Sequence, residues 1–338
     1  MSERRHNGKI ALCVNPMSGR DVRRLAARAT NVTHEAKRDI VARVAAGADA
    51  MGVSDIYITR EPYRIASMAL EWMPLKAKVH VLDIPLTNTA QDTEAAIAAF
   101  KAAGCDTVVS LGGDGTNRAI VRQDANLDLV PLSTGTNNVF PDRVEPTLAG
   151  MIAGLNALGR LQQAPSELAL SKVAKVLRLV TPRGQDLALV DAVMMRNDRV
   201  GNMLPFEAQK IETIVLTRAE PNAIGMSPIG GFVDPVYAAE DQGLVVHLGP
   251  ADQGQAVVAP LSPGWFQTVY VKDATRLSLG DGVTLQGPGV IALDGDRDHK
   301  LLPGEVAQVH VQRDGPRVLD VDGAMRWVAS QGMMRNRD

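Results

Sequence analysis

The first half of the chain alternates short apolar runs with longer segments in which apolar residues recur at helical spacing. Continuous apolar runs are typical of strands that are buried on both faces of a sheet. Such strands are predicted at residues 10–14, 55–59, 78–82, 107–111 and 127–132. Helices are predicted between them at residues 33–50, 62–72, 89–103 and from about residue 117. Repeated strand–helix–strand units indicate an α/β domain, in which helices cover a parallel sheet.

The pattern changes after Pro146, where one more helical segment begins. From about residue 173 to residue 311 the chain consists of short β-like runs broken by Gly and Pro, which is typical of an antiparallel sandwich or barrel-like domain. We therefore expect an α/β domain at residues 1–145 and a β-rich domain at residues 146–314. The segment from about 315 to 338 is expected to form a helix that packs back on the first domain.

Length, charge and cysteine content agree with a soluble two-domain protein. A chain of 338 residues is long for one hydrophobic core, and about 150 residues per domain gives two domains. The formal net charge of −2 offers no general attraction to nucleic acid or anionic lipid, so any anion site must be local. No run reaches the roughly 18 apolar residues of a membrane helix, and both cysteines lie in apolar stretches. We expect a cytoplasmic homo-oligomer with no nucleic-acid partner and no integral membrane segment.

A Gly-Gly-Asp-Gly-Thr string at residues 112–116 lies where a predicted strand ends and a helix begins. Ligands of open α/β sheets bind at this end of the strands, where glycines let the backbone approach a polyphosphate and the helix N-terminus supplies N–H donors. A carboxylate in such a loop would repel phosphate. Asp114 is therefore interpreted as a catalytic base, a hydroxyl acceptor or a magnesium ligand, and the alternative is a tight turn in which Asp114 caps the next helix.

Two further polar clusters follow predicted strands of the same sheet. Residues 15–19 read Asn-Pro-Met-Ser-Gly, and residues 135–138 read Gly-Thr-Asn-Asn. Each cluster alone has the composition of an ordinary turn. Because the carboxyl ends of parallel strands share one edge, we expect all three clusters to converge there.

Together the three clusters resemble the superfamily that unites NAD kinases with diacylglycerol and sphingosine kinases. The longer string at residues 133–141, with the Gly-Met-Ser-Pro-Ile-Gly-Gly string at residues 225–231, is similar to the AcoX-type branch of that superfamily, named for acetoin catabolism. The resemblance covers most of the chain and implies an α/β domain followed by a β-rich domain, with the site in the cleft between them. It also implies that residues 112–116 bind nucleotide phosphates and that Asp114 engages the hydroxyl that receives the phosphoryl group.

The chain departs from the motifs of both kinase groups. NAD kinases carry an Asn-Glu pair that holds the dinucleotide, and the best-placed pair here is Val190-Asp191. Their Thr-Pro-Thr-Gly-Ser motif appears only as Ser-Pro-Ile-Gly-Gly at residues 227–231, so the acceptor stays open. Lipid kinases have an Asp-Gly-Glu in which the Glu can act as a base. Residues 293–296 (Leu-Asp-Gly-Asp) approximate it, which makes Asp296 a second candidate base.

Two other chemistries are rejected on sequence. Asp294, Asp296 and Asp298 imitate a calcium-binding loop, but His299 stands where that loop requires Gly, and strand-like flanks favour a charged hairpin. Ser227 is excluded as a hydrolase nucleophile because the following Pro has no N–H for an oxyanion hole.

The leading hypothesis is ATP-dependent phosphoryl transfer to a hydroxyl of a small soluble acceptor, with NAD as one candidate. Magnesium is implied by that chemistry, although no metal ligand is predicted. The alternatives are a non-catalytic nucleotide- or NAD-binding regulatory protein of acetoin catabolism and a lipid kinase of the diacylglycerol type. The candidate catalytic residues are Asp114 and Asp296. The candidate nucleotide-binding residues are Asn15, Pro16, Ser18, Gly19, Gly112, Gly113, Gly115, Thr116, Gly135, Thr136, Asn137, Asn138 and Asp191.

Overall fold

The structure, a computed structural model, describes residues 6–20, 27–29 and 31–335 of the chain. Strands and helices alternate in its first half. The strands are β1 (Lys9–Val14), β2 (Asp55–Thr59), β3 (Lys78–Leu82), β4 (Thr107–Gly112) and β5 (Asp128–Ser133). The helices are α1 (His34–Met51), α2 (Ile65–Leu70), α3 (Ala90–Ala102), α4 (Asp114–Gln123) and α5 (Pro146–Ala157).

These strands form a parallel sheet in the order β3-β2-β1-β4-β5, which confirms the prediction of an α/β domain. β4 is buried along its whole length, which explains why its sequence is continuously apolar rather than alternating. One core packs α1 and α5 on the sheet, and a second core packs α3 and α4 on it.

Two glycines allow α1 and α5 to touch backbone to backbone. A Cβ on Gly150 would lie 2.0 Å from the carbonyl oxygen of Val44, and a Cβ on Gly47 would lie 2.1 Å from that of Thr147. No residue other than glycine fits at either place. The helical segment that begins at Pro146 therefore packs on the first sheet.

Two helix boundaries differ from the prediction. α4 begins at Asp114 and not near residue 117, because Gly113 is already the extended residue that precedes the helix. Asp114, Gly115 and Thr116 thus lie in the first turn of the helix, and Gly112 and Gly113 precede it. α2 is shorter than the predicted segment 62–72, because the carboxylate of Glu61 accepts hydrogen bonds from the amides of Tyr63 and Ile65 and closes a separate turn before the helix.

The second half of the chain is rich in β-structure. Its strands are β6 (Ser171–Val173), β7 (Val176–Thr181), β8 (Gly184–Ala188), β9 (Asp191–Met195), β10 (Ile211–Leu216), β11 (Gln242–Leu248), β12 (Gln255–Ser262), β13 (Trp265–Ser278), β14 (Gly282–Gln286), β15 (Gly289–Leu293), β16 (Asp296–Leu301) and β17 (Val306–Gln312). One short helix, α6 (Ser227–Gly231), lies among them.

Eleven of these strands form two antiparallel sheets, in the orders β12-β13-β11-β10-β9-β15-β16 and β14-β17-β7-β8. Side chains from both sheets share one core, so the predicted antiparallel β-rich domain is confirmed. The apolar residues between 187 and 195 belong to two strands, β8 and β9, which lie in different sheets. Four of the strands in this half were not predicted, β6, β12, β14 and β16.

The chain finally returns to the first sheet. β18 (Arg317–Leu319) pairs in parallel with β5, and β6 pairs antiparallel with β18 at the edge. α7 (Val321–Ser330) follows and buries Trp327 in the core shared with α1 and α5. Among the helices of the described residues, none combines the length and the apolar character needed to cross a bilayer.

Candidate functional site

The three polar clusters meet at the carboxyl edge of the first sheet. We refer to them as the Asn15 turn (residues 15–19), the glycine loop (residues 112–116) and the asparagine loop (residues 133–140). The Nδ2 of Asn15 donates to the Oγ1 of Thr116 at 2.8 Å, and the hydroxyls of Ser18 and Thr134 are 2.7 Å apart. Side-chain hydrogen bonds therefore tie the Asn15 turn to both of the other loops.

Glycine is required where the glycine loop and the asparagine loop touch. A Cβ on Gly135 would lie 2.9 Å from the Cα of Gly113 and 2.3 Å from the Oδ1 of Asn138. A Cβ on Gly112 would overlap the side chain of Thr116. Gly115 differs, because its Cβ would meet only the Oδ2 of Asp296, at 3.1 Å. The backbone of the helix start is thus left open at Gly115.

Four more of the predicted residues, Pro16, Gly19, Thr136 and Asn138, lie in the same three segments. The carbonyl oxygen of Pro16 accepts a hydrogen bond from the Nζ of Lys37. Gly19 has a φ of 69°, in the left-handed region that glycine adopts readily. Thr136 is half-buried in the asparagine loop. The Nδ2 of Asn138 donates to the Oγ of Ser133 at 2.6 Å and so holds that loop together internally.

Asp114 is the first residue of α4, and its carboxylate reaches across to the asparagine loop. It accepts from the amide of Val139 at 3.1 Å and from that of Phe140 at 2.9 Å. The residue that precedes the helix is Gly113, so the alternative in which Asp114 caps its own helix is wrong. Burial, reinforced by the nearby charge of Asp294, raises the pKa of Asp114 to about 7, although the two amide bonds and Arg218 act in the opposite direction.

Two further carboxyl groups, from the second domain, face Asp114. Asp294 forms the turn between β15 and β16 with Gly295, and both residues have positive φ, as a type I′ hairpin turn requires. The Asp294 carboxylate accepts from three consecutive amides that connect β8 to β9, those of Leu189, Val190 and Asp191. This contact explains why the apolar run there breaks into two strands.

Asp191 lies at the start of β9 with 8 % of its surface exposed. Burial, together with the charges of Asp294 and Asp114, raises the pKa of its carboxyl well above the usual value. Among the described residues no donor reaches its Oδ1. Three carboxyl groups from three separate segments, Asp114, Asp191 and Asp294, therefore share one desolvated space between the domains, and close packing of this kind favours their protonated forms.

Asp296 stands at the rim of this space. Its side chain is 38 % exposed, and its Oδ2 lies 3.4 Å from the Nη2 of Arg118. Arg118 is buried on α4 and also donates to the carbonyl of Leu293 and to the carboxylate of Asp298, both at 2.9 Å. A charged hairpin is present, as predicted, but Asp296 and Asp298 lie in its second strand, β16, which pairs with β15, and not in a loop between strands.

Three basic side chains of the site were missed by sequence reasoning. The Nζ of Lys37 is fully buried and donates to the carbonyls of Asn15 at 2.9 Å and of Pro16 at 2.7 Å. Arg118 fastens α4 to the β15–β16 hairpin, as described above. Arg218 donates to the carbonyl of Val139 at 3.2 Å. A signal for Lys37 existed, because its helical position falls on the same face of α1 as Val41 and the other buried residues of that helix.

Ser227 has a structural role. Its hydroxyl donates to the carbonyl of Arg218 and accepts from the amide of Glu220, and the residue is fully buried. No described group of three or more His, Cys, Asp or Glu side chains is arranged to hold a metal ion. The chemistry that this site offers is therefore a helix N-terminus with an open glycine, a buried cation below the Asn15 turn, and three carboxyl groups whose pKa values are raised, that of Asp114 to about 7.

Comparison with known proteins finds similar proteins over nearly the whole chain. Residues 175–314 match the family described as acetoin catabolism protein X C-terminal domain, and residues 12–159 match the ATP-NAD kinase N-terminal domain. The chain is 31% identical over 339 residues to acetoin catabolism protein X of Cupriavidus necator strain H16, covering 97% of this chain and 94% of that protein.

Among solved structures, yeast NADH kinase in complex with NADH superposes with a TM-score of 0.51 at 12% identity, over 98% of this chain and 88% of that chain. A diacylglycerol kinase from Bacillus anthracis str. Sterne gives a TM-score of 0.43 at 12% identity, over 92% and 96%. The fold is therefore that of an NAD kinase, a parallel-sheet α/β domain followed by an antiparallel β-rich domain. The resemblance inferred from the three clusters is confirmed.

Proposed function

The chain belongs to the acetoin catabolism protein X family, and we propose that it is a phosphotransferase that uses ATP to phosphorylate a hydroxyl group of a small soluble acceptor. The observation that carries the proposal is the position of Asp114. Its carboxyl group lies in the space between the domains, on the first residue of α4 between Gly113 and Gly115, and burial raises its pKa to about 7. A base with that pKa is about half ionised at neutral pH, as general base catalysis requires.

In the proposed reaction the acceptor hydroxyl loses its proton to the carboxylate of Asp114. The hydroxyl oxygen forms a bond to the γ-phosphorus, the bond from that phosphorus to the bridging oxygen breaks, and ADP leaves. The amides of Val139 and Phe140 hold the Asp114 carboxylate in place throughout. Asp296, which is partly exposed at the rim, is the second candidate base. Its Oδ2 lies 3.1 Å from the position that a Cβ on Gly115 would take.

The phosphates of ATP are placed at the N-terminus of α4, next to the carboxyl groups of Asp114 and Asp296. The first amides of α4 have no acceptor within the helix, and the helix dipole favours an anion there. Gly115 leaves this backbone open, and the charge of Lys37 lies directly under the Asn15 turn. These residues fit a polyphosphate. They hold it through the backbone and one buried cation, as expected for a protein whose net charge is −2.

Magnesium would neutralise charge that develops on the transferred phosphoryl group. Within the described residues the carboxyl groups do not form a ready metal site, and those of Asp114 and Asp294 already accept backbone amides. The described residues thus do not fit a resident metal ion.

The acceptor is defined by its hydroxyl group. The complex of yeast NADH kinase with NADH makes NAD and NADH natural candidates. However, Val190, which stands where a side-chain amide would be needed, is fully buried in the core of this protein. This favours an acceptor other than NAD.

The test is a turnover assay with the purified full-length protein, ATP, magnesium and a panel of hydroxyl acceptors that includes NAD and NADH. Formation of ADP together with a phosphorylated product supports the proposal. The same assay with Asp114→Asn is the control, because that variant keeps the shape of the side chain and loses the base. Absence of acceptor-dependent ADP across the panel, in protein that binds ATP, argues against the enzyme.

A second candidate function is a regulatory protein that binds the nucleotide without turnover. It is favoured by the low exposure of Asp114, 8 %, and by the two amides that already occupy its carboxylate. Thermal stabilisation by ATP or NAD without ADP formation would support this candidate.

A lipid acceptor is the third candidate. Val200, Met203 and Leu204 each expose roughly half of their surface. Arg297, the residue after Asp296, holds their segment by donating hydrogen bonds to the carbonyls of Asn202 and Leu204. Co-sedimentation with liposomes, lost when Met203 and Leu204 are both changed to Ser, would support this candidate.

A further inference from the structure

Two side-chain oxygen atoms at the site are buried without any hydrogen-bond donor. Among the described residues, three buried side-chain polar atoms have no partner, and they are the Nε of Arg38, the Oδ1 of Asp191 and the Oδ1 of Asn137. Buried polar atoms are nearly always paired, so an unpaired one needs an explanation. Asp191 lies among other carboxyl groups that raise its pKa. Asn137 carries no charge and has no proton to gain, so neighbouring charges do not explain why its Oδ1 is unpaired.

The orientation of the Asn137 amide is fixed by its other end. Its Nδ2 lies 3.1 Å from the carbonyl oxygen of Leu261 and 3.2 Å from the Oγ of Ser262. A carbonyl oxygen can only accept, so the nitrogen and not the oxygen must face Leu261. The Oδ1 of Asn137 is consequently the unpaired acceptor, and it is directed away from the turn at residues 261–264.

That turn belongs to the second domain and closes over the first. It connects β12 to β13, and besides the contact with Asn137 its Pro263 carbonyl accepts from the amide of Arg28 at 2.8 Å. Asn137 therefore sits between the two domains. Its loop also holds Gly135 against Gly113 of the glycine loop, so Asn137 is close to the place where the nucleotide phosphates are proposed to bind.

Phosphate oxygens cannot satisfy the Asn137 Oδ1, because they too are acceptors. A nucleoside carries the missing donors, as ribose hydroxyls and as an exocyclic amino group. We propose that Asn137 is a specificity-determining residue whose Oδ1 accepts a hydrogen bond from the nucleoside part of the bound nucleotide, while its Nδ2 holds the turn at residues 261–264. This inference rests on the proposed nucleotide-binding function.

The inference is tested by isothermal titration calorimetry with the full chain and four nucleotides. The probes are ATP, purine riboside triphosphate (without the amino group), 2′-deoxyATP and 3′-deoxyATP. The wild type is expected to bind at least one of the three analogues about tenfold more weakly than ATP, because a buried acceptor is left unpaired. In Asn137→Ala the affinity ratio for that analogue should fall to about one.

Two further variants separate ligand recognition from the hold on the turn. Ser262→Ala weakens the contact with the turn and leaves the Asn137 oxygen in place, so it should keep the wild-type ratio. Asn137→Asp keeps an acceptor oxygen and loses the donor to Leu261, so it should also keep the ratio, and it serves as the test if Asn137→Ala does not fold.

The outcomes are distinct. If wild type binds ATP and Asn137→Ala retains the full discrimination, or if wild type binds all four nucleotides equally, this inference is wrong and the proposed function is untouched. Loss of the ratio in Asn137→Asp would contradict it in the same way. If wild type binds no nucleotide, the proposed function fails and this inference fails with it.

Discussion

The two ends of the first sheet both carry a buried polar network, and the two networks differ in how completely they are paired. At the amino end, the Nδ2 of Asn156 donates to Thr107 at 2.9 Å and to Asp128 at 2.8 Å, and its Oδ1 accepts from Gln162 at 2.9 Å. Arg317 completes this network by donating to the second oxygen of Asp128. At the carboxyl end, the Oδ1 of Asn137 and that of Asp191, which faces this edge from the second domain, have no donor within the described part of the chain.

This difference separates a network that stabilises the fold from one that awaits a ligand. A fully paired network strengthens a structure, whereas each buried group left unpaired weakens it by about 1–3 kcal/mol. Proteins break local rules of this kind mainly at functional sites. Cavity size does not make the distinction here, because a cavity of about 190 Å³ lies at the amino end, beside Asn156 and Arg317.

The largest effect is expected at the carboxyl end, from Asp114→Asn. Removal of a general base lowers kcat by about 10²–10⁴-fold. Stability should hold or rise, because the variant removes an ionisable group from a desolvated space. Steady-state kinetics and thermal melts measure the two quantities on the same preparation. A variant that keeps more than about a tenth of wild-type kcat would exclude Asp114 as the base.

The converse effect is expected at the amino end, from Asn156→Ala. Thr107, Asp128 and Gln162 each lose a partner, so the free energy of unfolding should fall by about 3 kcal/mol. The affinity for ATP should not change, because the network lies at the opposite edge of the sheet. Urea denaturation and calorimetry test these expectations. Gln162→Ala is the matched control, since it removes one bond at an exposed position and should cost about 1 kcal/mol or less.

A change in ATP affinity of Asn156→Ala, in protein that is still folded, would break the comparison. The two ends of the sheet would then be coupled, and the amino-end network could not be called purely structural.

Sequence patterns predicted the parallel sheet well and the second domain less completely. Strands such as β4 are buried on both faces, so their own residues carry the signal. β16 is polar over most of its length and sits at a sheet edge. Its conformation is imposed by pairing with β15 and by the turn at Asp294, which no local pattern reveals.

The same limit applies to the site. Glycine loops can be predicted from the local sequence, because glycine is needed where backbones approach closely. Arg118 acts on Leu293, 175 positions away, so its role depends on tertiary contacts. The unpaired oxygen of Asn137 likewise becomes visible only when the turn at residues 261–264 is in place.

A smaller effect, of opposite sign to that of Asn156→Ala, is expected from Asp191→Asn. The folded protein binds the Asp191 proton more tightly than the unfolded chain does, because burial raises the pKa of this carboxyl. Wild type should therefore lose stability relative to the variant as the pH rises from about 4, the unfolded pKa, through the raised folded pKa. At pH 8 the variant should be more stable by on the order of 1 kcal/mol, and at pH 3.5 the difference should vanish.

Urea denaturation at both pH values measures this difference. A variant that is less stable than wild type at pH 8 would mean that the Asp191 carboxylate is satisfied in the folded protein, which would remove half of the contrast between the two ends.

The smallest effect concerns a contact at the carboxyl end that is fully paired. The hydroxyls of Ser18 and Thr134 join two loops at 2.7 Å, and both residues are buried. Ser18→Ala and Thr134→Val should each cost about 1 kcal/mol, and the double variant should cost less than their sum, because the bond between the two hydroxyls can be lost only once. Ser18→Ala also removes the bond to the carbonyl of Asn15, and it does so with or without the Thr134 hydroxyl. A double-mutant cycle of unfolding free energies measures this coupling. Strict additivity would mean that the hydroxyls do not hold the loops together. Coupling would instead place this bond with the paired network around Asn156, so that the contrast would lie between paired and unpaired atoms rather than between the two ends of the sheet.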